Sequence, residues 1–296
     1  MNLWILHADT PYRMFREERP FSDPALHIDR TVLLPWDAPV VCFAFWADKR
    51  LTDEEAWQAM LLMRRDAAEK LSDAPCRTAF SLEDARILSG DPTARLSHPA
   101  LAGVRILTPF WSGVNRFGGA YDTEAGLTED GRHLLSEATR RGMLLDVSHA
   151  SRASLRAIVD LSRAAGLPPL ATHSNFFAVT PHPRNLTDEE ACALAAAGGV
   201  IGLSLVPSHT GGMPDVSALF AHIDHGISLG LRDALAIGGD FDGTDRLACG
   251  FASARDLYDL LLPAVRERYG EDFTHRFFYG NAGDRLGAYL FHPHQK

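Results

Sequence analysis

Eight short β-rich runs recur along the chain, and the turn residues and helical patterns that follow them constrain the fold more than any other feature. The runs occupy 3–9, 40–47, 77–83, 103–111, 143–149, 169–174, 199–206 and 234–240. Alternation of this kind belongs to βα units rather than to segregated sheets, and eight parallel strands are the number that closes a β/α barrel. Spacings of roughly 25 to 40 residues between runs accommodate a strand, a loop and a helix. No Pro/Gly/Ser-rich linker divides the 296 residues. The expected fold is therefore α/β, a (β/α)8 TIM-like barrel forming a single domain over 1–296. Within it, 10–39 is the longest irregular stretch and a candidate active-site loop insertion, because a long loop after the first strand folds over the mouth of such a barrel.

Helix starts are written locally. Thr52 with Glu55, and Thr187 with Glu190, each make an S/T-x-x-E capping box ahead of an apolar-periodic segment. These are structural signals and carry no chemistry.

A formal charge of −9 and the absence of a Lys/Arg-rich face argue against a nucleic-acid partner, since binding phosphates requires one. Cys42, Cys76, Cys192 and Cys249 are far apart in sequence and imply neither a zinc ribbon nor a disulfide framework, so a reducing compartment is expected. No basic segment followed by a long apolar run opens the chain, and no stretch approaches about 18 uninterrupted apolar residues. The expectation is a cytoplasmic protein with no membrane contact. Apolar residues on the helices suit a barrel core or a homodimer surface equally.

In a β/α barrel the C-terminal ends of the strands converge on one opening, so residues remote in sequence meet there. Here those ends carry His7 and Asp9, Glu83 with Asp84, His149, His173, and Asp240 with Asp242. Residues two apart on an extended strand share a face, so His7 and Asp9 are expected to grip one ion together. A mixed imidazole and carboxylate set without thiolates suits zinc or a similar divalent ion and leaves positions open for water and substrate. Taken singly, each of these residues is more simply a hydrogen-bonded or surface group. Their joint placement at five of eight strand ends is what points to a metal site. A second H-x-D, at His27 and Asp29, lies away from any predicted strand end and reads as loop structure. The remaining histidines fall in loops or helical patterns, where surface or capping roles are expected for most; the loops of His182 and His209 can border the mouth.

The segments HADTPYR, FSLED, GLTEDGRHLLSEATRRGMLLDVSHAS, ATHSN, PHPRNLTDEE, AAAGGVIGLSL and IGGDFDG resemble the membrane (renal-type) dipeptidases, metal-dependent peptidases within the amidohydrolase-like barrels. The resemblance runs across most of the chain. It implies a binuclear zinc centre in which His7 and Asp9 hold one ion, His149 and His173 the other, and Glu83, rather than Asp84, bridges both. It implies hydrolysis of small dipeptides, including those with a C-terminal D-residue, by a metal-bridging hydroxide. Asp240 corresponds to the proton shuttle of that reaction, for which a turn or capping role is the plainer reading and better suits Asp242 in the following FDG turn. Arg184, in HPRN, corresponds to the group that pairs with the substrate carboxylate, a task suited to a planar and permanently charged fork.

Two positions depart from the renal-type pattern. Trp111 stands where those enzymes have a substrate-contacting His, as in many bacterial relatives, and Val206 stands where they have a carboxylate-binding Tyr. Two alternatives follow. The same metal site could serve another small amide or a lactone, since one barrel hosts many hydrolyses; or the chain could be a non-catalytic barrel, against which the complete ligand set and Asp240 speak.

Overall fold

A computed structural model describes residues 1–212 and 215–291, so that His292 and His294 lie outside the described residues. Its eight-stranded sheet contains β1 (Leu3–Ala8), β2 (Pro39–Phe45), β3 (Arg77–Glu83), β4 (Val104–Thr108), β5 (Leu144–Leu145), β6 (Leu170–Ala171), β7 (Val200–Ser204) and β8 (Leu235–Phe241). Spatial order is β5-β4-β3-β2-β1-β8-β7-β6, with every pairing parallel. A parallel bridge between Asp146 and Leu170 joins the two outer strands and closes the ring. The expected (β/α)8 barrel is the observed one.

β1 and β2 are buried along their whole length, as parallel strands covered on both faces must be, and both read as near-continuous apolar runs. Side chains pointing inward from all eight strands, among them Leu6, Cys42, Ala79, Ile106, Leu144, Leu170, Val200 and Ala236, form one apolar cluster with Ala282, Leu286 and Leu290 of the last helix. A larger cluster lies outside it, between strands and surrounding helices. Both predicted capping boxes form, at Thr52/Glu55 and Thr187/Glu190.

Two predicted regularities give way. The stretch 10–39 is not wholly irregular, since Thr10–Arg16 is helical with Pro11 in its first turn. Beyond it, prolines at 20, 24 and 35 break up longer periodicity. The runs at 143–149 and 169–174 also yield strands of only two residues each. Beyond Leu145 and Ala171, polar side chains replace the backbone ladder: the Thr172 amide donates to Asp146 Oδ1 at 2.9 Å and the His173 amide to Ser148 Oγ at 3.1 Å. No helix among the described residues is long and apolar enough to cross a membrane.

Candidate metal centre and active site

The first strand delivers His7 by a bulge. Ile5 pairs with Val41 and Ala8 with Phe43, so three steps on β1 match two on β2. Ile5 and Ala8 both pack into the outer cluster while Leu6 packs inside. Strict alternation would have turned His7 outward with Ile5; the extra residue re-aims it, a common use of bulges beside active sites. Asp9 lies just past the strand, at φ −89° and ψ 18°, heading the helix Thr10–Arg16. The two residues therefore meet through a bulge and a turn, not through the simple two-residue repeat.

Three other ends are held in unusual backbone. His149 (φ 72°), Asp240 (φ 68°) and Asp84 (φ 69°) occupy the left-handed region, which disfavours residues with a Cβ and tends to be tolerated at functional sites.

The five candidate ligands converge. His7 Nε2 lies 3.3 Å from Asp9 Oδ2, 3.6 Å from Glu83 Oε2 and 3.8 Å from Asp240 Oδ1. The other Glu83 oxygen, Oε1, lies 3.0 Å from His149 Nε2 and 3.7 Å from His173 Nε2. Glu83 thus presents one oxygen to each half of the cluster. Asp84 is engaged elsewhere, accepting from the Arg86 amide at 3.1 Å and from Asn115 Nδ2 at 2.9 Å.

His149 and His173 have assignable tautomers. Nδ1 of His149 donates to the Trp111 carbonyl at 2.7 Å, which leaves Nε2 as a bare lone pair. Nδ1 of His173 lies 2.9 Å from Thr172 Oγ1, whose own hydrogen goes to Asp146 Oδ2 at 2.5 Å. The His173 Nε2 is therefore also unprotonated, and the two Nε2 atoms face each other at 3.0 Å with no proton to share. Glu83 Oε1, Asp9 Oδ1 and His7 Nδ1 are buried without a hydrogen-bond partner. Buried acceptors and opposed lone pairs are costly when left alone and are satisfied by cations. The donor set suits a divalent cation: the ligand atoms of His7, Glu83 and His173, and those of His7, Asp9 and Asp240, each lie within 4.8 Å of one another, and His149 adds a lone pair beside His173 and Glu83.

Electrostatics point the same way. Burial opposes a charge on His7, yet Glu83 and Asp9 override it and push its pKa up to about 10. Burial raises Glu83 to about 7 and, with the neighbouring Asp9, raises Asp240 to about 7. His149 and His173 are held well below the usual range by burial, reinforced by the positive charge of Arg184 at His149 and of His7 and Arg184 at His173. One half of the site thus attracts positive charge and the other supplies neutral imidazoles, the form a metal requires.

The cleft above has a volume of about 250 Å³ and is lined by Asp9, Glu83, His149 and Asp240 together with Trp111, Tyr12, Arg13 and Trp46. Tyr12, Arg13, Arg16 and Glu17, from the early part of 10–39, are among the lining residues. Trp111 packs 5.0 Å from Trp46 and also orients His149 through its carbonyl. Arg184 is 5 % exposed, and no carboxylate among the described residues lies within ion-pair distance of it. Its Nη2 reaches the His173 carbonyl at 3.4 Å and its guanidinium carbon lies 5.7 Å from the Tyr121 ring. Val206, half-buried, precedes a single helical turn, Pro207–Thr210.

Several further residues belong to this picture. Asp146 accepts from Thr108 Oγ1, Thr172 Oγ1 and the amides of Ser148 and Thr172. Its signal was a carboxylate inside the apolar run LLDVSH, where a charge must find donors. His27 is buried and bonded to Asp242, not a free loop residue. His222, expected at a surface or cap, is fully buried on the inner face of the helix Ser217–Ser228. The rings of His182 and His209 lie 4.7 Å apart, tilted at 48°, and His209 is buried.

Among solved structures, a metallo peptidase from Rhodobacter sphaeroides liganded with a phosphinate mimic of the dipeptide L-Ala-D-Ala superposes with a TM-score of 0.82 at 22 % identity, covering 99 % of each chain. The dipeptidase AC superposes at 0.80 with 25 % identity, covering 99 % of this chain and 98 % of that one. Among curated sequences, dipeptidase tcpJ of Claviceps purpurea is 33 % identical over 249 residues, which is 81 % of this chain and 55 % of that protein. An uncharacterized Klebsiella pneumoniae protein from the pqqA 5' region is 38 % identical over 156 residues, 48 % of this chain and 56 % of that one. The chain spans about half the length of these two curated relatives. The sequence model for membrane dipeptidase, peptidase family M19, matches residues 7–282, and on this match the chain belongs to the membrane dipeptidase family.

Proposed function

We propose that the protein is a zinc-dependent dipeptidase that hydrolyses the amide bond of small dipeptides, those with a C-terminal D-residue included. The observation that supports this most is the split around Glu83, with His7, itself beside Asp9, at one oxygen and the unprotonated His149 and His173 at the other. In this reading His7 and Asp9 would hold one zinc ion and His149 and His173 a second, with Glu83 available to both. Zinc held there would acidify water to hydroxide near neutral pH and polarise the scissile carbonyl.

The chain's own groups do the rest. Asp240, on the His7 side of the cluster, takes a proton from the attacking water and delivers it to the leaving amine, the task of a general base that becomes a general acid. Arg184, buried and without a carboxylate of its own, receives the substrate's free carboxylate. Trp111 and Trp46 wall the cleft against a substrate side chain. The four cysteines are all unpaired, which supports a reducing compartment such as the cytoplasm.

The test is hydrolysis of a panel of L,L- and L,D-dipeptides by zinc-loaded protein, beside a chelated sample and the Asp240→Asn variant. Turnover that disappears with chelator, and falls by about 10²–10⁴-fold in Asp240→Asn while its zinc content is unchanged, is the expected result. Two zinc ions per chain without cleavage of any dipeptide would remove the substrate assignment and leave other amides and lactones.

A further inference from the structure

The ring of strands is weakest between β5 and β6. Each is two residues long, and one backbone bridge, with the Val147 amide donating to the Leu170 carbonyl at 2.7 Å, is what joins them. Past that bridge the seam is made by side chains. Asp146 Oδ1 takes the amides of Ser148 and Thr172, both at 2.9 Å, and Oδ2 takes the hydroxyls of Thr108 at 2.8 Å and Thr172 at 2.5 Å. One carboxylate thereby ties the ends of β4, β5 and β6 together.

The same carboxylate acts on His173. A threonine hydroxyl has one hydrogen, and that of Thr172 is drawn to the acceptor-only oxygen of Asp146. Toward His173 Nδ1, 2.9 Å away, Thr172 Oγ1 can then only accept. The imidazole proton is held on Nδ1, Nε2 is left bare, and the ring is fixed facing His149 and Glu83. His7 differs, because its Nδ1 is buried with no partner.

We propose that Asp146 and Thr172 are positioning residues that set His173 as a zinc ligand, so that zinc affinity at the His149/His173 position and closure of the barrel between β5 and β6 are coupled. The proposal rests on the zinc-binding reading above. Partners behind a metal-bound imidazole commonly contribute 10- to 100-fold in affinity. By linkage, zinc at that position strengthens the relay and the seam by the same factor.

The experiment is a zinc titration against a competing chromophoric chelator on the full chain, for wild type, Thr172→Val, Thr172→Ser and Thr108→Val. It is paired with hydrogen exchange of the Thr172 and His173 amides with and without zinc. Thr172→Val is expected to weaken one of two zinc sites by about 10- to 100-fold. Thr172→Ser restores it. Thr108→Val removes a hydroxyl from the same Asp146 oxygen without touching His173, and keeps wild-type affinity. Zinc is expected to slow exchange of both amides in wild type and in Thr172→Ser, and much less in Thr172→Val. Should Thr172→Val fold too poorly to load, Thr172→Ala makes the same comparison. Wild-type affinity in the variant lacking the hydroxyl, or equal weakening in Thr108→Val, overturns the relay while leaving the zinc site intact. Wild type that binds no zinc overturns the zinc reading itself, and the relay with it.

Discussion

His27 and Asp242 hold each other twice: the Asp242 amide donates to His27 Nδ1 at 2.9 Å, and Asp242 Oδ1 accepts the His27 amide at 2.7 Å. The second carboxylate oxygen takes Thr10 Oγ1 at 2.7 Å and the Ile28 amide at 3.3 Å. The long segment after β1 is thus anchored to the end of β8 at two points, one beside Asp9 and one beyond the helix. Asp242→Ala leaves buried donors unpaired, and should cost about 1–3 kcal/mol in urea unfolding. Limited proteolysis should then cut within 17–38, and substrate KM should rise as that wall loosens.

The facing Nε2 atoms of His149 and His173 predict a strong dependence of stability on metal. A ligand that binds the folded state alone stabilises it by RT ln(1 + [L]/Kd), about 4 kcal/mol at a thousandfold excess over Kd. Thermal unfolding with zinc and with chelator should therefore differ clearly. An unchanged midpoint would show that the opposed lone pairs are satisfied some other way.

Arg184 predicts a split between KM and kcat. Replacing it by Ala should raise KM for dipeptides by about 10- to 100-fold, the equivalent of 1.4–2.7 kcal/mol for a charge-assisted bond, with a smaller effect on kcat. For substrates whose C-terminal carboxylate is amidated, wild type and variant should be alike. Arg184→Lys should recover part of the loss, since a point charge lacks the bidentate fork.

His222 predicts an acid-labile fold. Burial lowers its pKa to about 4, and its Nδ1 accepts the Phe176 amide at 3.2 Å. The unfolded chain, with a histidine near 6.5, binds more protons than the folded one between those values. The contribution of the neutral ring is therefore present above about pH 6.5 and is lost as pH falls toward 4. Between pH 7 and 5 the loss from this residue should be about 2 kcal/mol. Urea unfolding of wild type and His222→Gln at both pH values isolates it, because the variant lacks this component of the slope.

The barrel was legible because eight apolar runs and two capping boxes are local features, and the structure reproduces them. The strand-end residues were legible for the same reason, since a parallel barrel brings every C-terminal end to one mouth. What escaped was what tertiary contacts decide. Asp146 and Thr172 work only because β5 and β6 stop after two residues and leave amides for side chains to take. Burial of His222 and His27 depended on which helix face and which loop met the barrel. Simple alternation along the first strand does not describe His7, because a bulge is what turns it inward.

That bulge ties the chemistry to a count of residues. Between Ile5 and Ala8 the chain carries one residue more than β2 pairs with it, and the surplus is what brings an imidazole to the mouth. Removing one residue there would even out the pairing with β2 and leave the apolar character of the strand almost untouched, but it would throw β1 further out of step with β8, which already takes two steps from Gly239 to Phe241 where β1 takes one. It would also move His7 relative to everything upstream of it. Such a deletion takes a member from the site before it takes an apolar residue from the core. In this strand, then, length and composition answer to different demands: the apolar residues to the barrel, and the odd residue to the reaction.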